Sequence, residues 1–253
     1  MPKVSILMPV YNGGQLLPEA IKSVLGQDFA DWELLVINDG STDQSGKIIS
    51  DYTRRDSRIQ QIVHSVNLGL IASLNEGLKM ASGVFIARLD SDDTWSDVSK
   101  LRKQAAFLEQ YPKVGLVGTF ARIHGHNKGQ GRILKYPVSV ASIRKQILIR
   151  NCFVHSSVMF RRQLAQQCGN YNPQEKYAED YGLWLRLGLV AEFCNIPEIM
   201  VNYYVNPAGV TQSENNRQIL AAKQLIAKFK SNYPNYLLAW LKWSVQGFVK
   251  KVF

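Results

Sequence analysis

Apolar and polar positions in the first third of the chain follow a strand-then-helix rhythm. Apolar runs at Val4 to Val10, Glu33 to Asn38 and Ile59 to His64 read as strands, each followed by a stretch with helical spacing, at Leu17 to Leu25, Gly46 to Thr53 and Leu70 to Met80. Strand–helix pairs in succession predict a parallel sheet, because parallel neighbours need a crossover long enough to hold a helix. A fourth apolar run, Val84 to Leu89, leaves the sheet in an acidic turn. Ser41-Thr42-Asp43-Gln44 offers a capping box for the second helix, with Ser41 as cap and Gln44 reaching back. Residues 1 to 95 therefore read as a Rossmann-like nucleotide-binding half.

Beyond Asp93 the pattern is less regular. A helix is expected near Ser99 to Gln110, a strand near Val114 to Phe120, an exposed, mobile Gly- and His-rich loop at His124 to Gly131, and a helix at Tyr181 to Leu189. From residue 212 onward two helices are predicted, Asn215 to Ser231 and Tyr236 to Val252, separated by Pro234. The last mixes Leu237, Leu238, Trp240, Leu241 and Trp243 with Lys242, Lys250 and Lys251. That mixture suits a helix lying on an anionic membrane surface, and equally one packed on its own domain or on a twin subunit.

Composition narrows the class. A chain of 253 residues with 46% hydrophobic content can bury a sizeable core. Cys152, Cys168 and Cys194 are odd in number and lack a Cys-x-x-Cys pair, which argues against a disulfide framework or a zinc site and favours a reducing, cytoplasmic setting. No apolar stretch is long enough for a signal-peptide core or a membrane span. The net charge of +10 attracts anions, but no basic run interleaved with aromatics accompanies it, so nucleic acid is not expected as a partner.

The chemistry begins at Arg88-Leu89-Asp90-Ser91-Asp92-Asp93. Carboxylates clustered at the carboxyl end of a strand suit a divalent ion bridging phosphate oxygens, although Asp and Ser also fill turns and cap helices. The first strand-to-helix turn, Pro9-Val10-Tyr11-Asn12-Gly13-Gly14, has neither the Gly-x-Gly-x-x-Gly of dinucleotide enzymes nor the Gly-Lys-Ser/Thr of P-loops. Tyr11 could stack on a base, and Gly13-Gly14 would let backbone approach a ligand closely. Asp39, in Asn38-Asp39-Gly40-Ser41-Thr42-Asp43, could accept a hydrogen bond from the N3 position of uracil.

Together these segments resemble a family 2 glycosyltransferase of the GT-A fold. The likeness rests on the Pro9-Val10-Tyr11-Asn12 turn, Leu34 to Asp43, Asn67-Leu68-Gly69-Leu70 and Ala87 to Asp93. It continues through His155-Ser156-Ser157-Val158-Met159-Phe160-Arg161 and Ala178-Glu179-Asp180-Tyr181-Gly182-Leu183-Trp184-Leu185-Arg186, covering residues 3 to about 205. The resemblance implies a mostly parallel α/β sheet flanked by helices, with a catalytic domain at 1–211 and a helical extension at 212–253. Within that domain, 1–95 would bind the nucleotide-sugar and 96–211 the acceptor. It implies inverting transfer of a hexose or N-acetylhexosamine from a UDP-sugar to a saccharide or lipid-linked saccharide, in bacterial surface-polysaccharide or lipopolysaccharide synthesis.

By the same resemblance Pro9, Tyr11, Asn12, Asp39, Asn67, Gly69, Arg88, Asp90 and Ser91 would hold the nucleotide-sugar. Asp92, with Asp90, would bind Mn²⁺ or Mg²⁺, and His155 would lie at the acceptor; Trp184, one turn after Asp180, suits stacking on an acceptor sugar and equally a place in the core, and Arg88 suits a phosphate contact or the bracing of a loop. An acceptor hydroxyl needs a general base, for which Asp180 is the candidate and Glu179 the second. Two departures stand out. Tyr204 and Asn206 replace the Arg and His of a common Arg-x-His element, putting the third metal ligand in doubt, and Ser73-Leu74-Asn75 stands where Ala-Arg-Asn is common. A nucleotidyltransferase of related architecture would carry a basic Gly-rich loop after its first strand, which Tyr11 to Gln15 is not. A non-catalytic scaffold would have lost part of the Asp90, Asp92, Asp180 set.

Overall fold

The structure, a computed structural model, describes residues 1–125, 131–205 and 215–252, with side chains described up to residue 245. The first half follows the sequence rhythm: β1 (Val4–Val10), α1 (Leu17–Leu25), β2 (Trp32–Asp39), α2 (Ser45–Thr53), β3 (Ile59–His64), α3 (Leu70–Met80) and β4 (Phe85–Arg88). Leu17, Ala20, Ile21 and Val24 line one stripe of α1 and are all buried, which is why this amphipathic segment docks on the sheet as a helix. The predicted capping box does not form. Asp43 Oδ1, not Ser41, accepts from Ser45 N at the start of α2, while Ser41 Oγ is taken by Asn12 N.

The second half adds β5 (Thr94–Trp95), α4 (Lys100–Gln110), β6 (Val114–His124), β7 (Ile133–Leu134), α5 (Val140–Gln146), β8 (Met159–Arg161), α6 (Arg162–Gln167), α7 (Glu179–Leu187) and β9 (Glu192–Tyr204). All strands join one sheet in the order β3-β2-β1-β4-β8-β6-β9-β5, with β7 on β6. Strands β3 to β4 pair in parallel, as predicted, whereas β8 runs antiparallel between β4 and β6. Alternate strand residues face opposite layers. Leu7, Leu35, Ile37 and Ile86 pack with α3 and α7, and Ile6, Met8, Leu34, Val36 and Ala87 pack with α1 and α4.

The C-terminal helices are α8 (Asn215–Lys228) and α9 (Tyr236–Val252). Ala222, Leu225 and Ile226 of α8 and Ala239 of α9 are buried in one cluster with the apolar side chains of α7, and Trp243 Nε1 donates to Leu148 O. The extension thus packs on its own domain along this face. Among the described residues, no helix is long and apolar enough to cross a membrane. The middle of the loop expected at His124 to Gly131, Asn206 and the boundary at 211/212 lie outside the described residues.

Candidate active site

The segments singled out by sequence leave the sheet at the carboxyl ends of β1, β2 and β4, where ligands collect in open α/β sheets. The turns after β1 and β2 are laced to each other. Asn12 N donates to Ser41 Oγ at 3.0 Å and Asn12 Oδ1 accepts from Thr42 N at 2.9 Å, while Gly13 N reaches Ser45 Oγ and Gly14 N reaches Asp43 Oδ2. A Cβ on Gly13 would sit 3.0 Å from Ser91 Oγ and one on Gly14 2.9 Å from Asp43 Oδ2, so the missing side chains admit neighbouring protein. Asn12 likewise braces the turn through its carbonyl oxygen. Pro9 is buried inside β1 opposite Ile37, whereas Tyr11 is 53% exposed and offers a ring.

Asp39 is a hub. Its Oδ1 takes His64 Nδ1 at 2.8 Å and Leu68 N at 2.8 Å, and its Oδ2 takes Gly69 N at 2.9 Å. A carboxylate has about four lone-pair positions, so one on Oδ2 remains for a donor such as an imide N–H. The same bonds fix the Asn67–Gly69 segment, where Asn67 is exposed. His64 was not singled out by sequence, and only its place at the end of a strand beside β2 could have hinted at it. Leu74, standing where the family commonly has Arg, is fully buried in the core.

Arg88 is taken up by neighbouring protein groups, its loop-bracing reading. Its side chain is fully buried and donates to Leu7 O, Leu89 O, His155 Nε2 and Asp90 Oδ1, the last at 2.5 Å. Burial alone would raise the Asp90 carboxyl, but the Arg88 guanidinium, with the hydrogen bond from Ser156, outweighs it and holds Asp90 below the ordinary carboxylate range. Asp93 takes the opposite course. Burial and the charges of Asp90 and Asp92 push it well above that range. Ser156 Oγ sits between the two carboxylates, donating to Asp93 Oδ2 and lying 3.1 Å from Asp90 Oδ2, and it accepts from Asp90 N. Asp93 Oδ1 also accepts from Tyr204 N, and Tyr204 stacks on His124, so the residue in place of the family Arg braces the acidic turn.

Asp180 opens α7 with Oδ1 accepting from Tyr181 N and Oδ2 accepting from Asn151 Nδ2 at 2.8 Å. Burial foremost, against those two donors and with the Asp90 charge adding to it, raises the Asp180 carboxyl; burial and the Asp180 charge push Glu179 up to about 7. His155 is partly exposed, with Nε2 receiving Arg88 Nε and lying 2.9 Å from Tyr171 Oη; burial and the Arg88 charge drive it down to about 3, so it is neutral. Tyr171 is itself clamped, its backbone bonded both ways to Asn75. Trp184, expected at the acceptor, is fully buried edge-on against Phe153, His155 and Phe160, and presents no face to a sugar.

One short segment ties the two carboxylate centres together: Asn151 holds Asp180 and Ser156, five residues on, holds Asp90. Neither was singled out by sequence, although Ser156 lies inside a segment that carries the resemblance. Metal fit falls on Asp92. It sits partly exposed in the turn beside Ser91, its hard carboxylate oxygens suit Mg²⁺ or Mn²⁺, and the negative field that raises Asp93 is one a divalent cation would relieve.

The family model described as Glycosyl transferase family 2 matches residues 5–169. The O-antigen biosynthesis glycosyltransferase WbnJ of Escherichia coli is 30% identical over 222 residues, covering 83% of this chain and 82% of that protein. The UDP-Glc:alpha-D-GlcNAc-diphosphoundecaprenol beta-1,3-glucosyltransferase WfgD of Escherichia coli is 33% identical over 185 residues, covering 73% and 69%. Among solved structures, S. aureus TarS 1-349 in complex with UDP-GlcNAc superposes with a TM-score of 0.74 at 20% identity, over 92% of this chain and 68% of that one.

Proposed function

The chain belongs to glycosyl transferase family 2 and has the GT-A fold, and from that premise we propose that it transfers a hexose or N-acetylhexosamine from a UDP-sugar, with inversion, to a saccharide or lipid-linked saccharide of a bacterial surface polysaccharide. The observation carrying this reading is the Asn151–Ser156 segment, which binds the Asp180 carboxylate to the Asp90 turn as one unit. A donor-side acid cluster and an acceptor-side base then face the same place.

Tyr11 stacks on the uracil ring and the remaining lone pair of Asp39 receives its N3–H. Asp90, kept ionised by Arg88, faces the ribose. Asp92 would hold a Mg²⁺ or Mn²⁺ ion, and such an ion would supply Lewis-acid relief of the charge on the departing diphosphate. Asp180 takes the acceptor hydroxyl proton as that oxygen attacks the anomeric carbon from the far side, and Asn151 keeps the carboxylate aimed. One displacement inverts the centre, so no second carboxylate is needed as a covalent nucleophile. The names of the two bacterial relatives and of the UDP-GlcNAc complex support the donor and acceptor classes. The reaction takes place at the cytoplasmic face of the membrane.

Binding and slow hydrolysis of UDP-, GDP- and dTDP-sugars, measured with Mn²⁺, with Mg²⁺ and with chelator, test the donor side. One UDP-sugar bound only with metal is expected, and no donor bound under any condition would leave a scaffold. Asp180→Asn is expected to abolish transfer while keeping donor affinity, and Asp92→Ala to weaken metal-dependent donor binding too. An Asp180→Asn variant as active as wild type would remove Asp180 from the role of base.

A further inference from the structure

Helix α9 is apolar on both sides. Its inner side carries Ala239, fully buried, and Trp243, while Leu237, Leu238, Trp240, Leu241 and Val245 point outward at 45–74% exposure. A helix apolar all round is one that is covered all round, and the domain covers one side. The charge around it has one sign: from Asn215 to the end the chain has seven Lys and Arg and no Asp or Glu. Lys223 of α8 lies 5.5 Å from the centre of the exposed Trp240 ring, so a cation borders the apolar face. At the far corner, Arg144 donates to Asn232 O and Asn235 to Lys145 O, which brings two cations of α5 to the same end.

We propose that the outer face of α9 lies flat on an anionic membrane surface, its leucines in the acyl boundary and the surrounding lysines at the headgroups. Charge selects this occupant over a second copy of the chain. A twofold pairing through α9 would set these cations against their own duplicates with no acid from the segment to answer them, whereas an anionic bilayer answers both the apolar face and its basic border.

The seating reaches the site. The inner Trp243 stacks on Tyr181, ring centres 6.4 Å apart, and donates to Leu148 O, while Tyr181, the residue after Asp180, donates to Ile147 O. The base is one packed layer behind the docking helix. If glycosyl transfer is the activity, on which this consequence rests, a lipid-linked acceptor meets Asp180 without leaving the surface; the docking itself does not depend on that reading.

Sedimentation of the full chain with phosphatidylcholine vesicles, with and without phosphatidylglycerol, tests the proposal. Wild type is expected to pellet with the anionic vesicles only, and less in high salt. The L237Q/L241Q/V245Q variant, altered only at exposed positions and checked for an unchanged melting temperature, is expected to bind at least about tenfold more weakly, and Lys223→Gln about fivefold. Equal pelleting of the triple variant and wild type would overturn the proposal. So would a wild type that ignores vesicles, including one that elutes as a dimer which the triple variant splits. Metal-dependent donor hydrolysis without vesicles is read in parallel: if it persists while pelleting fails, docking alone falls, and if it is absent while pelleting holds, the transferase reading falls.

Discussion

Glu179 and His155 pull stability in opposite directions with pH, and removing either should unmask the other. Glu179 is pushed up to about 7 from an ordinary 4.5, and His155 down to about 3 from 6.5. Between pH 4.5 and 7 the folded chain keeps a proton on Glu179 that the unfolded chain releases, so stability falls as pH rises, by about 1.4 kcal/mol per unit. Between pH 3 and 6.5 the unfolded chain binds a proton on His155 that the folded chain does not, so stability rises with pH at about the same slope. Across pH 4.5 to 6.5 the two cancel. Gln at position 179 mimics the neutral acid. Glu179→Gln should therefore match wild type at pH 4.5 and exceed it by about 3 kcal/mol at pH 7. His155→Gln should tilt the profile the other way, and the double variant should restore the wild-type slope. Urea unfolding at half-unit steps from pH 4.5 to 7 reads all three. Profiles of Glu179→Gln and wild type that overlay across this range would refute the assignment of a buried, proton-retaining Glu179.

Two further substitutions test the frame around the site. Arg88→Met leaves Asp90 without its cation and Leu7 O with Leu89 N as its remaining donor; breaking such a buried pair costs about 3–5 kcal/mol, a fall in melting temperature of about 6–20 °C for a chain of this size, and a fall under about 2 °C would mean that the pair carries no weight. Gly40→Ala places a Cβ 2.5 Å from the Val66 carbonyl carbon at a φ of +67°, so faster hydrogen exchange at the Leu68 and Gly69 amides and weaker UDP binding are expected, and unchanged exchange there would speak against the Asp39 hub.

How much of this was legible depended on whether a signal was local. Strands β1 to β4 are continuous apolar runs, and their helices keep a regular stripe, so periodicity finds them within a residue or two. Strand β9 is punctuated by Pro197 and Glu198 and pairs with β6 through register shifts near Thr119 to Ala121, so no clean period survives. Strands β5, β7 and β8 are two or three residues long and exist because a neighbour pairs with them. In the site, the carboxylates were legible because charge at a strand end is costly to keep without a use. What a motif does not carry is burial. Pro9, Arg88 and Trp184 stand in the right places along the chain and turn inward, while Asn151 and His64, unremarkable by type, hold the carboxylates in place.

Strand β8 sits between β4 and β6, Phe85 opposite Arg161 and Ala87 opposite Met159, and the short β5 returns to pair Trp95 with Val201. The division at residues 95/96, natural to the eye reading along the chain, is therefore no seam in space. A chimaera that grafts one relative's front half onto another's rear half must match side chains across β4 and β8 and across β5 and β9 at once. On the proposed division of donor and acceptor sites, the two choices are encoded in different stretches of sequence yet inherited together, and new pairings should arise more readily by change within turns than by recombination between them.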